Sequence, residues 1–258
     1  MYILKIAYDG RYSFQQQPHK ETVCDKLLNT LEKLNFLEER KIIYSGGRTD
    51  KGVSALGNFV ILKLKKEPIL SYINHELKKF GIWILGYKEI EEIPKVQYRH
   101  YRYIMPNLDY NLELMRKAGE KLIGEHSFHN LSKRDRSKEK SPIRKIYDIK
   151  INDYGFFLEV DVVGESFLWQ MVRKIVGLLH LIGREEKSLE WVDKILDPNY
   201  REGVITFPAE GLILVEAKVD INYNYDNYSI KKFKEFWLER YKEYIMKFGI
   251  AKTMNEFI

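Results

Sequence analysis

The chain has 258 residues, 45% of them hydrophobic and 14% aromatic, and a formal net charge of +6. Apolar residues this plentiful exclude intrinsic disorder and supply a core for one large domain or two small ones. A single cysteine, Cys24, excludes an internal disulfide and a cysteine-based zinc site.

The N-terminus, MYILKIAYDG, reads as a first strand and not as a signal peptide. No uninterrupted apolar stretch is long enough to cross a bilayer. A soluble, cytoplasmic protein is therefore expected. The basic excess, with 18 tyrosines, fits a nucleic-acid surface and also a plain basic enzyme. The Lys, Glu, Ile and Tyr content suits a thermophile.

In chain order, residues 2–8 form a strand ending in the Asp9-Gly10 turn. Thr22 is a helix N-cap, and Val23, Leu27, Leu28, Leu31 and Leu34 follow at helical spacing. Short strands are expected at 41–44 and 59–64, flanking a glycine-rich stretch. A helix at 69–80 and a strand at 82–90 come next. The strand at 98–105 places Arg99 and Tyr101 on one face, and Tyr98, His100 and Arg102 on the other. Pro106 and Asn107 mark a boundary. A helix at 112–122 precedes the polar, mainly basic loop HSFHNLSKRDRSKEKSP. A hairpin at 144–151 and 156–163, helices at 167–182 and 189–196, and a strand at 211–219 complete the second half. The tail, 229–248, is helical, with Phe233, Phe236, Trp237, Tyr241, Tyr244 and Phe248 along one face, expected to pack on the body. Two halves split near residue 106, each mixing strands with a few helices. The fold class is α+β with mainly antiparallel sheets, divided as 1–105, 106–220 and a helical extension at 221–258.

The chemistry centres on GGRTDKGVSA, residues 46–55. By itself, Asp50-Lys51-Gly52 is a turn, since Asp starts turns and Gly supplies positive φ. Three features point further. Arg48 lies two residues before Asp50, so on an extended backbone both leave the same face. A guanidinium beside a carboxylate fixes its direction. Gly46, Gly47 and Gly52 admit close approach of another backbone or a ligand. A held carboxylate is what a nucleophile or an oxocarbenium stabiliser requires; a surface Arg–Asp pair is the bland alternative.

GGRTDKGVSA resembles the GRTDxGVxA catalytic motif of the TruA family of tRNA pseudouridine synthases. Further segments resemble that family in the same order: AYDG with QQQP, YRHYRYIM, LIGEHSFHNLSK, SPIRKI, FLWQMVRKIVG and AEGLILV. The match runs from about residue 2 to residue 219. The resemblance implies a pseudouridine synthase fold, two halves around a central basic cleft. It implies isomerisation of uridine to pseudouridine on the 3′ side of the tRNA anticodon stem-loop, by a homodimer without cofactor or metal. Asp50 takes the place of the family's catalytic aspartate and Arg48 that of its ion-pair partner. Tyr101 matches the active-site tyrosine, Arg173 an arginine near the active site, and Leu212 the apolar residue against the target base. An arginine in an apolar helix also needs an anionic partner, and Asp50 is the obvious one. A flipped-out uridine calls for phosphate contacts. Lys51, Lys133, Arg134 and Arg136, with Lys138 and Lys140, are the candidates. His126-x-x-His129 lacks a third ligand, so no metal site is expected. A catalytically silent RNA-binding protein on the same fold is the alternative, and a nucleoside hydrolase a second.

The sequence departs from the family pattern in places. RYSFQQQP is short and lacks the usual Gly-Trp pair. IPKVQYRH keeps little of the segment that normally precedes the RYRY strand. Lys51 replaces a common alanine.

Overall fold

The computed structural model describes residues 1–15, 21–133 and 141–256. The first half supplies β1 (Tyr2–Tyr8), α1 (Val23–Lys33), β2 (Tyr44–Ser45), β3 (Ser54–Leu62), α2 (Leu70–Leu77) and β4 (Ile82–Glu89). The second runs β5 (Tyr98–Pro106), α3 (Leu112–Leu122), β6 (Gly124–Ser127), β7 (Ile143–Asp153), β8 (Phe157–Gly164), α4 (Met171–Gly183), α5 (Glu190–Leu196) and β9 (Leu212–Lys218). The short β10 (Asn224–Tyr225) and the long α6 (Asn227–Glu256) follow. No helix among the described residues is long and apolar enough to cross a membrane.

All the strands join one sheet in the order β10-β4-β1-β3-β9-β5-β8-β7-β6, with β2 added on β3. Every pairing is antiparallel except β3 with β9, so the architecture is α+β as the element pattern predicts. That parallel junction is where the halves meet: Ser54 lies opposite Ile213 and Ala55 opposite Leu214. β9 thus sits between β3 and β5, and the loop after β2 comes to lie beside strands made more than 150 residues later.

Alternation along each strand sends one set of side chains under the helices. Leu4, Ile6 and Tyr8 of β1, Val60 and Leu62 of β3, Tyr101, Tyr103 and Met105 of β5, and Val160 and Val162 of β8 share one core with apolar residues of α1 to α5. Thr22 caps α1 as its sequence predicts. Its hydroxyl accepts the Asp25 N–H at 3.1 Å, and the Asp25 carboxylate accepts the Thr22 N–H at 3.2 Å.

On the opposite face, Phe233 and Phe236 of α6 cover Ala7, Trp83 and Leu85. The tail helix does not bury the single aromatic stripe expected of it. Tyr241 and Tyr244 are exposed, and Phe248 meets Phe156 at the β7–β8 turn with ring centroids 5.3 Å apart. At 30 residues the helix is about 45 Å long, so it outruns the short patch on β4 that its first turns cover.

Other boundaries move for tertiary reasons. β3 begins at Ser54, five residues before the expected start at Phe59, because β1 and β9 pair with its first residues. β6 carries the polar sequence GEHS and exists only through pairing with β7. α4 starts at Met171 and not at 167, because Gln170 is left-handed at φ 62°.

Gly57 crosses β9 so closely that an added Cβ would overlap the Val215 carbonyl oxygen. A backbone atom inside a sheet has little room to yield. Gly57→Ala should lower stability by about 1–3 kcal/mol in urea denaturation, with the slope of the transition unchanged.

Candidate active site

The glycine-rich loop after β2 is pinned from beneath. Asn58, fully buried on β3, accepts the Gly47 N–H at 3.0 Å and donates to the Gly47 carbonyl at 2.9 Å. Its amide also donates to the Tyr8 hydroxyl at 3.0 Å, and that hydroxyl lies 2.9 Å from Thr49 Oγ1. The Thr49 carbonyl accepts the Phe14 N–H at 3.0 Å, and the Gly52 N–H donates to Gly10 at 2.9 Å. Gly52 closes the turn at φ 97°, a conformation open to glycine at little cost. These bonds hold the loop at Gly47, Thr49 and Gly52, which makes its shape stiff.

Thr49 faces this support, so Arg48 and Asp50 on either side of it face the cleft, as alternation predicts. The ion pair expected between them does not form. Arg48 is exposed and makes no ion pair among the described residues. The chain turns at Asp50, whose carbonyl accepts the Val53 N–H at 3.2 Å, and the carboxylate is carried across to α4. There Oδ2 lies 3.1 Å from Arg173 Nη1, and Oδ1 accepts the Trp169 indole N–H at 3.1 Å. Arg173 is the anionic-partner case that its apolar helix requires: its side chain is only 15% exposed, and its Nε donates to the Phe207 carbonyl at 2.7 Å. The carboxylate itself stays 35% exposed.

Tyr101 and Leu212 are buried at the floor of the same cleft, on adjacent strands β5 and β9. The Tyr101 ring packs edge-on against Phe167 at 5.1 Å. Burial pushes its hydroxyl up to about 12, opposed by the charge of Arg99 and assisted by that of Asp50. Lys133 lines the cleft with its ammonium 4.4 Å above the Trp169 ring. Lys51 is exposed and lies outside the cleft lining. Arg134, Arg136, Lys138 and Lys140 fall outside the described residues. His126 and His129 bond backbone carbonyls, of Ile123 at 3.0 Å and of Tyr200 at 2.7 Å.

Sequence reasoning missed Trp169, Asn58 and the cations Arg99 and Arg144. Trp169 stands four residues before Arg173 in the sequence, but it lies ahead of α4, so the left-handed turn at Gln170 and not helical spacing brings it to Asp50. Arg99 gives its Nε to the Gly46 carbonyl at 2.7 Å and Nη1 to the Glu165 carbonyl at 3.0 Å. Arg144 gives Nη1 to the Ser141 carbonyl at 2.9 Å. Both guanidiniums thus rest on carbonyl dipoles instead of carboxylates.

The cleft encloses about 1820 Å³, against the roughly 300–1,000 Å³ of small-molecule pockets. Among the described residues, eight Lys and Arg side chains line it, with Asp50 the one carboxylate. Its size and sign suit a large polyanion.

Residues 118–220 match the family model described as tRNA pseudouridine synthase. That stretch carries α4 with Arg173 and β9 with Leu212, so this wall of the cleft resembles that of a pseudouridine synthase, an isomerase. Over 257 residues the chain is 71% identical to tRNA pseudouridine synthase A of Methanocaldococcus jannaschii, covering 100% of this chain and 99% of that protein. It is 48% identical to the enzyme of the same name from Methanococcus maripaludis strain S2, with 98% of each covered. The Methanothermobacter thermautotrophicus protein is 35% identical over 98% of this chain and 94% of its own. The chain belongs to the TruA family, the tRNA pseudouridine synthases A.

Burial also holds Tyr103 up to about 12 and raises Tyr8. All three tyrosines keep their protons in the folded state above pH 10.0, where the unfolded chain begins to release them. For Tyr101 and Tyr103 the contribution to stability is full below about pH 10 and is lost as pH rises through about 12. Tyr101→Phe should therefore reduce the drop in melting temperature between about pH 9 and about pH 11, read by thermal melts of both proteins.

Proposed function

We propose that this enzyme converts uridine to pseudouridine in tRNA, on the 3′ side of the anticodon stem-loop. The observation that carries this reading is the Asp50 carboxylate, held by Trp169 and Arg173 and still partly open to a cleft lined by cations.

The reaction breaks the N1–C1′ bond of the target uridine, turns the uracil and joins C5 to C1′. N1 gains a proton and C5 loses one, so composition is unchanged. Asp50 acts against the ribose, either by attack on C1′ or by handling the C2′ proton on a glycal route. A hydrolytic glycosidase needs a second carboxylate to serve the leaving group or water. Here uracil leaves and returns as the nucleophile, so one carboxylate suffices. Arg173 and the indole N–H keep Asp50 in place without occupying all its lone pairs. Tyr101 stacks on the base, and a hydroxyl that stays protonated at neutral pH donates to it or relays a proton. Leu212 packs against the base edge.

The uridine reaches this floor only when flipped out of its stack. Arg48 serves as a cleft cation toward phosphate. Lys133 does the same, and Lys51, Arg134 and Arg136 supply further phosphate contacts. We further propose a cytoplasmic homodimer that holds tRNA across both subunits and uses no cofactor. Residues 1–105 bring the catalytic loop, 106–220 the α4 arginine, and 221–258 an extension.

The test is an unmodified tRNA transcript incubated with purified protein, then carbodiimide labelling and primer extension. Wild type should give stops in the anticodon arm. Asp50→Asn should give none while binding tRNA about as tightly, because phosphate contacts supply the affinity. Stops that persist in Asp50→Asn would remove Asp50 from this role. Tyr101→Phe should bind normally and turn over about tenfold or more slowly; an unchanged rate would assign the work to the ring alone.

A further inference from the structure

Trp169 is an odd residue for a protein interior or a plain surface. It is 46% exposed, yet it lines the cleft beside the one carboxylate there. No aromatic side chain among the described residues stacks on its ring. Other large side chains are as exposed; Trp169 differs in standing inside the cleft with its indole bonded to Asp50. Among the described residues, Lys133 is the one cation placed over the ring, 4.4 Å from its centroid.

The indole is nevertheless held in place. Its N–H donates to Asp50 Oδ1 at 3.1 Å, and its carbonyl accepts the Lys133 N–H at 2.9 Å. The next residue, Gln170, takes the left-handed conformation at φ 62°, which turns the chain into α4 and aims the ring. A held, half-open aromatic ring with an ammonium against it combines the two features by which proteins bind single-stranded nucleic acid: a stacking surface and a phosphate partner. It is distinct from the site for the reacting base. Tyr101 and Leu212, which form that site in the function proposed above, are 7% and 6% exposed.

We propose that Trp169 is a stacking subsite for a nucleobase next to the flipped uridine, and that it ties occupancy of this subsite to the position of Asp50. The base stacks on the indole while Lys133 meets its phosphate. The ring, held between base and cation, then fixes the N–H on Oδ1. Trp169 is a positioning residue and takes no part in bond making. The inference rests on the tRNA reading.

The experiment compares wild type, Trp169→Phe and Trp169→Ala on an unmodified tRNA transcript, reading dissociation constants by filter binding and single-turnover rates at saturating tRNA. Trp169→Phe keeps a ring and loses the donor. It should bind within about threefold of wild type and react about tenfold more slowly. Trp169→Ala should show the same loss of rate and in addition bind about five- to a hundredfold more weakly, the range for losing one base–aromatic stack. A residue with only a structural role would lower melting temperature in both variants and leave this split absent. Wild-type affinity in Trp169→Ala would overturn the stacking subsite, and a wild-type rate in Trp169→Phe would overturn the tie to Asp50. Should Trp169→Ala fail to fold, the difference in tryptophan emission between wild type and Trp169→Phe decides. Quenching by added tRNA is expected, and an unchanged difference overturns the subsite. Failure of the parent reading looks different: wild type would bind tRNA and form no pseudouridine.

Discussion

Asp50 and Arg173 stand 123 residues apart, and the ion pair between them ties the two halves of the chain. An arginine this far buried in an apolar helix is tolerable only with an anion beside it. The carboxylate in turn is carried by a loop that β3 and the Asn58 network hold rigid. The pair therefore requires that α4 and the loop meet in one arrangement. The parallel β3–β9 junction supplies that arrangement by fixing the register of the two halves. Slippage at the junction would leave a buried charge without a partner, so the same contact that positions the carboxylate also resists distortion of the cleft.

The second constraint is electrostatic. Among the described residues, eight cations and one carboxylate line the cleft. Elsewhere lysines are matched locally, as in Lys117–Glu113, Lys242–Glu239 and Lys247–Glu243 along helix faces. The positive field is thus concentrated where a polyanion must enter, with Asp50 the single exception at its floor. Arg99 and Arg144 reach this state because carbonyl groups hold them, which fixes the guanidiniums without neutralising them.

How legible all this was depends on range. Elements carried by periodicity and caps could be read directly, such as β1, α1 behind its Thr22 cap, and α3 at 112–122. β6 could not, because GEHS has no strand character of its own and forms only against β7. The tail helix was legible as a helix but not as an aromatic face, since what α6 buries depends on how far the β4 patch beneath it extends.

The site divides in the same way. The resemblance of GGRTDKGVSA and the other ordered segments to the family's motifs points to Asp50, Tyr101, Arg173 and Leu212 from sequence, because those motifs are short and local. The partners of Asp50 were decided by the tertiary structure. Alternation put Arg48 on its side of the chain, yet a turn of one residue at Asp50 passed the carboxylate to Trp169 and Arg173, 119 and 123 residues away. Side-chain direction from a strand is a two-residue property that sequence carries. The choice of hydrogen-bond partner is a property of sheet register and helix start, and it exists only once β3 and β9 lie side by side.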